Sequence, residues 1–481
     1  EIQERTAYNS FNYSPVFDEE HRIVGFPEMD DIDGSEINYS ALGGTGKSVS
    51  KMSSFFANAS YSYLDKYILT GALRYDGSDI IGNDNQFTPL WNVGLRWNLH
   101  REEFMKRWMW VDQFAVRGGF GYTGSIDKNA LPFVVMTLGQ SVIYDGQTVP
   151  TSFSYPNPNV KWQTKQDMNV GLDLSLFDYR LELGVNYYNN ITRDVLDRKA
   201  LPYSSGRSEV TENVADIYNS GWEIDLGVTL LKNKSFQWYA KANIAINDNK
   251  VKNTYYKETK DLPKATLSNA HQFVENQPVN GWYGYKFAGI NPINGAVMTY
   301  TGNGEATLDM SVSGATWPIP SVFYLGNLTP PVVGGFSTSA NWKQLIFSAN
   351  FEFKTGHKIK SFNTFRSLDA RNRHTSEANR WREPGDITNV PAMSEAFTTY
   401  SSYMYDILLE KGNYLRCSYM TLGYNLKPEW LHKIGFSTAR LSFTAKDLFT
   451  VSSYSGIDPA LMGSFGYPNS RKYTITLNVG F

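Results

Sequence analysis

From about residue 51 onward, the sequence repeatedly alternates apolar and polar residues with a period of two. The clearest run, WNVGLRWNL, begins at Trp91, and a similar run, YTITLNVGF, ends at Phe481. Side chains two residues apart lie on the same face of a β-strand, so this period predicts strands with one apolar and one polar face. We count about thirteen such strands and little helical periodicity, with residues 101–110 the best short helix candidate. The sequence therefore predicts an all-β fold.

The connections between these strands are of two kinds that alternate along the chain. Short turns lie near residues 65, 178, 233 and 342. Long polar connections are expected near residues 123–160, 197–212, 254–331, 359–411 and 451–470. In an outer-membrane β-barrel the short turns face the periplasm and the long loops face the exterior, whereas a soluble β-sandwich has no reason to sort its connections. The sorting predicts a large antiparallel transmembrane β-barrel.

Charged residues stand in the middle of the predicted strands, on their polar faces. They are Arg96, Asp173, Glu182, Glu223, Asp225, Lys241, Glu352, Lys354 and Arg440. In a soluble sandwich these positions would face water, so the charges alone fit both architectures. Together with the sorted connections, they fit better as the lining of a wide, water-filled lumen.

Composition argues against several classes of site. Lys and Arg number 45 against 47 Asp and Glu, so no net field attracts nucleic acid. The single cysteine, Cys417, excludes an intramolecular disulfide and a multi-cysteine zinc site, and the six histidines lack metal-ligand spacing. The sequence contains no run of about 18 apolar residues, so it predicts no transmembrane helix. We expect no catalytic, cofactor-binding or metal site.

Two stretches near the start of the chain are similar to ligand-binding motifs. ALGGTGKS, residues 41–48, fits the loose pattern of a phosphate-binding loop, which needs a buried strand before it and a helix after it. Polar residues precede it here and a period-two run follows, which favours a flexible external loop. EMDDIDGSE, residues 28–36, has oxygen ligands suited to Ca²⁺, but its Gly34 is wrongly spaced for an EF-hand. An acidic solvated loop is favoured.

Aromatic residues in the long connections are the candidate substrate contacts. Aromatic rings commonly line binding sites, although they also pack loops and populate the bilayer interface. The candidates are Trp282, Tyr283, Tyr285, Tyr400, Tyr403 and Tyr405.

Several blocks of sequence carry a family resemblance. The blocks are GNYLRCSYMTLGYNL at 412–426, ARLSFTAKDLFTVSSYSGIDPAL at 439–461, YPNSRKYTITLNVGF at 467–481, the segment 157–196, NSGWEIDLGV at 219–228 and RWREPGD at 380–386. The first three closely resemble the closing strands of SusC-like TonB-dependent transporters of the Bacteroidetes outer membrane. The others resemble further blocks of that family, in the family's order.

The resemblance implies a barrel of about 22 strands with a lumen closed by an N-terminal plug. Residues 49–481 are then the C-terminal part of the barrel, and residues 1–48 are the remnant of an extracellular loop. Because an open sheet edge in a membrane is costly, the plug and the remaining strands are expected to be present, either on a separate chain, from a nick or a split gene, or on one longer polypeptide. Phe481 resembles the aromatic C-terminal signal by which the assembly machinery selects outer-membrane proteins.

The resemblance also implies a function, the energised import of an oligosaccharide or oligopeptide across the outer membrane. A SusD-like surface lipoprotein would cap the barrel, the TonB complex would act through the plug, and outer-membrane lipids would surround the wall. No nucleic-acid partner, cofactor or enzymatic reaction is expected. Two alternatives stay open, a structural or adhesion barrel without transport and a surface glycan-binding β protein.

Overall fold

The computed structural model describes most of the chain. The described residues are 2–10, 16–17, 23–25, 45–79, 86–125, 136–144, 147–153, 161–200, 204, 209–255, 257–258, 273–308, 322–361, 378–392, 405–431, 435–462 and 466–481. The acidic stretch 28–36 and the candidate residues Tyr400 and Tyr403 lie outside them.

Strands make up most of the described chain. In chain order they are β1 (Ile2–Ser10), β2 (Val16–Phe17), β3 (Ile23–Gly25), β4 (Thr45–Tyr63), β5 (Tyr67–Ser78), β6 (Phe87–Asn98), β7 (Val111–Ser125), β8 (Met136–Tyr144), β9 (Gln147–Phe153), β10 (Gln163–Leu176), β11 (Leu181–Ala200), β12 (Glu209–Lys232), β13 (Phe236–Lys252), β14 (Gly281–Gly284), β15 (Phe287–Ile290), β16 (Val297–Tyr300), β17 (Ala306–Leu308), β18 (Phe323–Asn327), β19 (Val332–Trp342), β20 (Leu345–Thr355), β21 (Lys358–Lys360), β22 (Leu409–Lys411), β23 (Tyr414–Asn425), β24 (Thr438–Ser452) and β25 (Lys472–Gly480). The helical elements are short: α1 (Pro428–Leu431) and the 3₁₀ turns Leu99–Arg101, Met105–Arg107, Asp406–Leu408 and Pro459–Leu461.

Fourteen of these strands form one antiparallel sheet. Its order is β1-β4-β5-β6-β7-β10-β11-β12-β13-β19-β20-β23-β24-β25, so each strand pairs with the next strand of this sheet along the chain. The smaller sheets pair β14 with β18, β15 and β17 with β16, β2 with β3, β8 with β9 and β21 with β22. The predicted all-β fold, with a large antiparallel sheet, is confirmed.

The sheet has one strand more than the predicted count of about thirteen, because β1 lies within the segment predicted as an extracellular loop. β1 pairs with the first nine residues of β4, from Ser10 opposite Thr45 to Ile2 opposite Ser53. Its sequence, IQERTAYNS, has no regular alternation and therefore gave no strand signal. The last residues of the ALGGTGKS motif also belong to β4, where a phosphate-binding loop would require a helix. The assignment of residues 1–48 to the cell exterior stays a prediction.

The two kinds of connection lie at opposite ends of the sheet. Turns of a few residues join β4 to β5, β10 to β11, β12 to β13 and β19 to β20 at one end, which we call the short-turn rim. At the first of these, Leu64 and Asp65 have φ angles of 51° and 53°, as a type I′ hairpin turn requires. The opposite end, the long-loop rim, carries the connections from 253 to 331 and from 356 to 413.

The strand register places the apolar and polar residues on opposite faces of the sheet. Leu95 pairs with Gly118 and Leu69, and its side chain is 54% exposed, while Ile475 on β25 is 75% exposed. Large apolar side chains left open over a whole sheet face would cost about 25 cal/mol for each Å² in water. A lipid surface removes that cost, so this face is suited to contact the bilayer.

The predicted helix at residues 101–110 is instead an irregular link at the short-turn rim, with two 3₁₀ turns. Glu102 in this link accepts hydrogen bonds from Tyr67 Oη at 2.7 Å, Lys66 Nζ at 3.0 Å and Trp97 Nε1 at 3.1 Å. These bonds lower the pKa of Glu102 to about 2, and the bond from Tyr67 has the largest effect. The carboxylate ties the link to the hairpin between β4 and β5.

We expect Ile475→Arg to destabilise the folded protein by about 2–4 kcal/mol, because it places a charge on the lipid face near the middle of β25. Thr476→Arg, on the opposite face, is the matched control and should change stability much less. Guanidinium unfolding in lipid vesicles and migration in cold SDS measure both. Equal destabilisation by the two substitutions would contradict the assignment of the faces.

The Glu102 contacts give a pH dependence. A lowered pKa means that the carboxylate stabilises the fold fully above its ordinary pKa of 4.5 and loses this effect as the pH falls toward about 2. The unfolding midpoint of wild type should therefore exceed that of Glu102→Gln at pH 7, and the difference should shrink between pH 4 and 2. Denaturant titrations at four pH values measure it. A difference that is constant down to pH 2 would contradict the prediction.

Candidate substrate-binding surface

The polar face of the sheet carries ion pairs that cross several strands. Arg96 Nη1 on β6 lies 2.9 Å from Asp173 Oδ2 on β10, and Arg117 Nε on β7 lies 3.5 Å from the other oxygen of Asp173. A Cβ on Gly171 would stand 2.7 Å from the Arg117 guanidinium carbon, so the glycine leaves room for that side chain to lie across the strand. The sequence correctly grouped Arg96 and Asp173 on one face.

A second contact crosses the polar face nearer the long-loop rim. Tyr188 on β11 donates from its hydroxyl to Asn247 Oδ1 on β13 at 2.8 Å. The strand between them, β12, has Gly221 at this point, where a Cβ would stand 2.5 Å from the tyrosine oxygen. The glycine therefore permits the tyrosine to reach over β12. The contact fixes the side-chain amide of Asn247 on the fourteen-stranded sheet, which we call the wall.

The long connections after β13 and β20 pack together into one body, which we call the loop core. Its buried members are Val274, Tyr283, Tyr285, Ile290, Val297, Val322 and Tyr405. Backbone hydrogen bonds attach it to the end of β13, from Val251 N to Gln277 O at 2.8 Å and from Asn276 N to Val251 O at 2.9 Å. Burial of these apolar side chains holds two segments that are distant in sequence in one place.

Three of the four described candidate aromatics, Tyr283, Tyr285 and Tyr405, are buried members of this body, and Trp282 belongs to a second apolar cluster. Tyr283 is 2% exposed and Tyr405 is fully buried, and Tyr285 packs with Tyr405 at a ring distance of 5.9 Å. Trp282 packs with Leu325 and Leu409 and donates from Nε1 to Lys358 O at 2.7 Å. In this arrangement these four side chains pack the loops, and their contact with a substrate stays a prediction.

The segment that contains RWREPGD folds back on the loop core. Trp381 donates from Nε1 to Pro292 O at 3.1 Å, and Gly385 N donates to the same oxygen at 2.8 Å. Ala392 N donates to Gly295 O at 3.0 Å. The block that the sequence singled out therefore joins two parts of the long connections to each other.

The connection after β24 is attached to the wall by a buried ion pair. Arg416 on β23 donates from Nη2 to Asp458 Oδ1, and their side chains are only 5% and 8% exposed. The same Asp458 oxygen accepts from Ala460 N at 2.9 Å, which caps the following 3₁₀ turn. Glu410 of β22 accepts from Ser455 N at 2.8 Å. The three long connections are thus linked to one another.

A polar cavity of about 500 Å³ lies where the wall meets the loop core. Six asparagines contribute to its lining, so we call it the asparagine cavity. They are Asn219, Asn247, Asn249, Asn276, Asn280 and Asn327. Its volume is within the range of roughly 300–1,000 Å³ typical of small-ligand sites. Isolated asparagines on several strands and loops form no motif, so no local sequence pattern predicts this cavity.

Other chemistry is limited around this cavity. Among the described residues, no group of three or more His, Cys, Asp or Glu side chains is placed to hold a metal ion. Burial raises the pKa of Tyr324 on the cavity wall to about 12, so its hydroxyl stays a hydrogen-bond donor at neutral pH. Within the described ranges no helix is long and apolar enough to span a membrane. The cavity has the groups to bind a polar ligand.

A two-faced antiparallel sheet with short turns at one rim and packed loops at the other is typical of outer-membrane β-barrel proteins. The profile of the family described as TonB dependent receptor-like, beta-barrel matches residues 3–351, so the chain belongs to that family. The predicted family resemblance is confirmed.

Curated relatives agree with this family. The chain is 28% identical to TonB-dependent receptor P3 of Formosa agariphila, over 89% of this chain and 45% of the relative. It is 23% identical to TonB-dependent receptor SusC of Bacteroides thetaiotaomicron, over 89% of this chain and 43% of SusC. The chain therefore spans about half the length of the curated relatives that it matches.

Solved structures give the same fold. The chain matches the RagAB peptide importer in the "open-open" state with a TM-score of 0.76 and 25% identity, over 93% of this chain and 49% of that one. The RagAB importer in the "closed-closed" state matches with a TM-score of 0.75 and 24% identity, over 95% of this chain and 51% of that one.

We expect Asp458→Asn to loosen the connection after β24. The substitution keeps an oxygen for the Ala460 cap but leaves Arg416 as a buried charge without its counter-ion, which typically costs about 3–5 kcal/mol. Amide hydrogen exchange of residues 453–462, followed by mass spectrometry, should become about a hundredfold faster or more.

The matched control is Asp225→Asn, which removes an exposed pair whose closest atoms, Lys241 Nζ and Asp225 Oδ1, are 3.9 Å apart. Such pairs contribute about 0–1 kcal/mol, so exchange of residues 453–462 should not change. Unchanged exchange in Asp458→Asn would show that the buried pair does not hold the connection.

Proposed function

We propose that the chain is the barrel portion of a TonB-dependent importer that carries an oligosaccharide or oligopeptide across a Bacteroidetes-type outer membrane. The observation that carries the proposal is the match of 93% of the chain to the RagAB peptide importer at a TM-score of 0.76. The polar wall and the asparagine cavity support it, because a large nutrient needs a wide hydrated path with polar contacts.

The partners follow from the same proposal. A SusD-like surface lipoprotein would cover the long-loop rim and capture the substrate, while the TonB complex would supply work through the plug. The packed loop core supports a stable docking surface, since its segments are joined by backbone hydrogen bonds and buried apolar side chains. Phe481 is 93% exposed at the chain end, as an assembly signal must be when the machinery reads it, and that role is also a proposal.

The proposed role is transport without enzymatic chemistry. The wall and loop residues bind, orient and release an unchanged molecule, and the energy comes from outside the barrel. The two alternatives are a structural or adhesion barrel without transport and a surface glycan-binding β protein. In either alternative the external loops would have a role at the cell surface, and loss of the protein would leave uptake unchanged. Uptake is therefore the measurement that separates both alternatives from import.

We expect deletion of the gene to abolish growth of the source organism on one oligomer class while leaving growth on the matching monomers intact. A tryptic casein digest as the only amino-acid source and a panel of oligosaccharides as the only carbon source test the two classes. Loss of TonB should give the same defect. Unchanged growth on every oligomer, with a loss of surface attachment, would favour the adhesion alternative.

Native mass spectrometry of the transporter, purified from its own outer membrane, tests the partners. We expect a complex that contains this chain, a surface lipoprotein and any retained substrate. A barrel that purifies without a lipoprotein, from cells that nevertheless import the oligomer, would contradict the proposed partner while leaving import intact.

A further inference from the structure

Two arginines stand directly opposite each other on the polar face of the wall. In the register of β6 with β7, Arg96 pairs with Arg117. Like charges at directly opposed positions of a sheet repel each other, and a guanidinium group does not lose its proton in a protein. Negative charge beside the two arginines therefore stabilises this arrangement.

One carboxylate serves both arginines. One oxygen of Asp173 lies 2.9 Å from Arg96 Nη1, and the other lies 3.5 Å from Arg117 Nε. Among the described residues, no second carboxylate comes within 4.0 Å of either guanidinium group. Two positive charges are thus set against one negative charge, and the three side chains together have an excess of one positive charge.

Other acidic side chains of the polar face stand apart from the two arginines. Asp167 on β10 pairs with Gly121, which is four residues along β7 from Arg117, or about 13 Å. The Asp167 carboxylate also has a partner of its own, Lys165 Nζ at 2.5 Å. The acidic residues of β11 and β12 lie on the far side of β10 from Arg96: Glu182, Glu223 and Asp225. The excess positive charge therefore has no second ion pair within the described wall.

A hollow of about 530 Å³ opens beside the two arginines, and we call it the arginine hollow. Arg96 and Arg117 line its end toward the short-turn rim, and Thr123 lines the opposite end. β5 and β10 contribute only polar-face residues to the lining, among them Thr70 and Asn169, so the hollow opens toward the polar side. No side chain of β6 or β7 fills its middle, because the polar-face positions there are Gly94, Gly119 and Gly121.

Both guanidinium groups have donors left for a ligand. Arg96 uses Nε for Asn98 Oδ1 at 3.0 Å and Nη1 for Asp173. Neither Nη atom of Arg117 has a hydrogen-bond partner in the described part of the chain, and its side chain is 40% exposed. A carboxylate accepts at two oxygens and carries negative charge, so it matches two adjacent guanidinium groups in geometry and in charge. A hydroxyl or a peptide carbonyl would supply an acceptor but no charge.

We propose that the arginine hollow binds a carboxylate group of the transported oligomer between Arg96 and Arg117. This carboxylate supplies the second negative charge that the two arginines and Asp173 lack. Its source is an oligopeptide, through the C-terminus or an acidic side chain, or an oligosaccharide, through a uronic acid. The inference rests on the proposed import function and adds a charge preference to it.

Two pairs of probes test the proposal, and the members of each pair differ chiefly in charge. The first pair is an N-acetylated hexapeptide of glycine and alanine, as the free acid and as the C-terminal amide. The second pair is hexagalacturonate and its methyl ester. Binding is measured by calorimetry on the transporter purified from its own outer membrane with all its subunits. We expect the charged member of at least one pair to bind about tenfold more tightly, and added salt to reduce this difference.

Substitutions at the three residues should change this affinity in opposite directions. Arg96→Gln and Arg117→Gln should each weaken binding of the charged probe about tenfold and binding of its neutral partner less than twofold. Asp173→Asn removes the competing carboxylate and should strengthen binding of the charged probe about tenfold. A purely structural role of the three side chains would not reverse the sign. Thermal unfolding within a few degrees of wild type establishes that the variants are folded.

Arg440→Gln is the matched control. It removes the same charge from the polar face of β24, eight strands from β7 in the sheet, and should change the affinity less than twofold. Selective binding of the charged peptide, of the charged glycan or of both supports the proposal and identifies the source of the carboxylate.

Three results would overturn the proposal. They are equal affinity, or no binding, for the charged and neutral members of both pairs; wild-type affinity for the charged probe in both arginine variants; and weaker binding of that probe to Asp173→Asn. TonB-dependent uptake is measured separately. These results would therefore leave the import function standing, whereas uptake that does not depend on this protein would refute that function.

Discussion

The backbone hydrogen-bond ladder of the fourteen-stranded sheet is the constraint on which the rest of the structure depends. In a bilayer no water is present to satisfy an exposed N–H or C=O group, so a chain that crosses by strands must pair them continuously. The antiparallel order from β1 to β25 provides that pairing over all described long strands. Once the ladder is formed, the pleat sends alternate residues to lipid and to the polar side.

The ladder also separates a restricted sheet from less restricted loops. Wall positions are restricted by the period-two pattern and by neighbours across the strands, as the contacts of Arg117 over Gly171 and Tyr188 over Gly221 illustrate. Connections at the long-loop rim have no such restriction, and they fold into the loop core instead. The asparagine cavity lies at the boundary, where a regular wall supplies Asn219 and Asn247 and the irregular loops supply Asn276 and Asn327.

The sequence predicted the wall well and the loops poorly, for a physical reason. Alternation is local, so Trp91, Leu95 and Arg96 could be assigned to faces without knowledge of their partners, and the register agrees with those assignments. Aromatic rings in the loops were selected for their chemistry, but Tyr283 and Tyr405 are buried against other loop residues. β1 was missed because charged residues interrupt its alternation and its pairing with β4 is what defines it.

By itself, the sequence determined the all-β architecture, the two faces of the strands and the family, because these depend on local periodicity and on blocks of neighbouring residues. Only the tertiary structure decided that RWREPGD contacts Pro292, that Arg416 pairs with Asp458, and that Asn219 and Asn276 line one cavity. Those contacts join residues tens of positions apart. Their positions follow from strand pairing and loop packing, which no local pattern records.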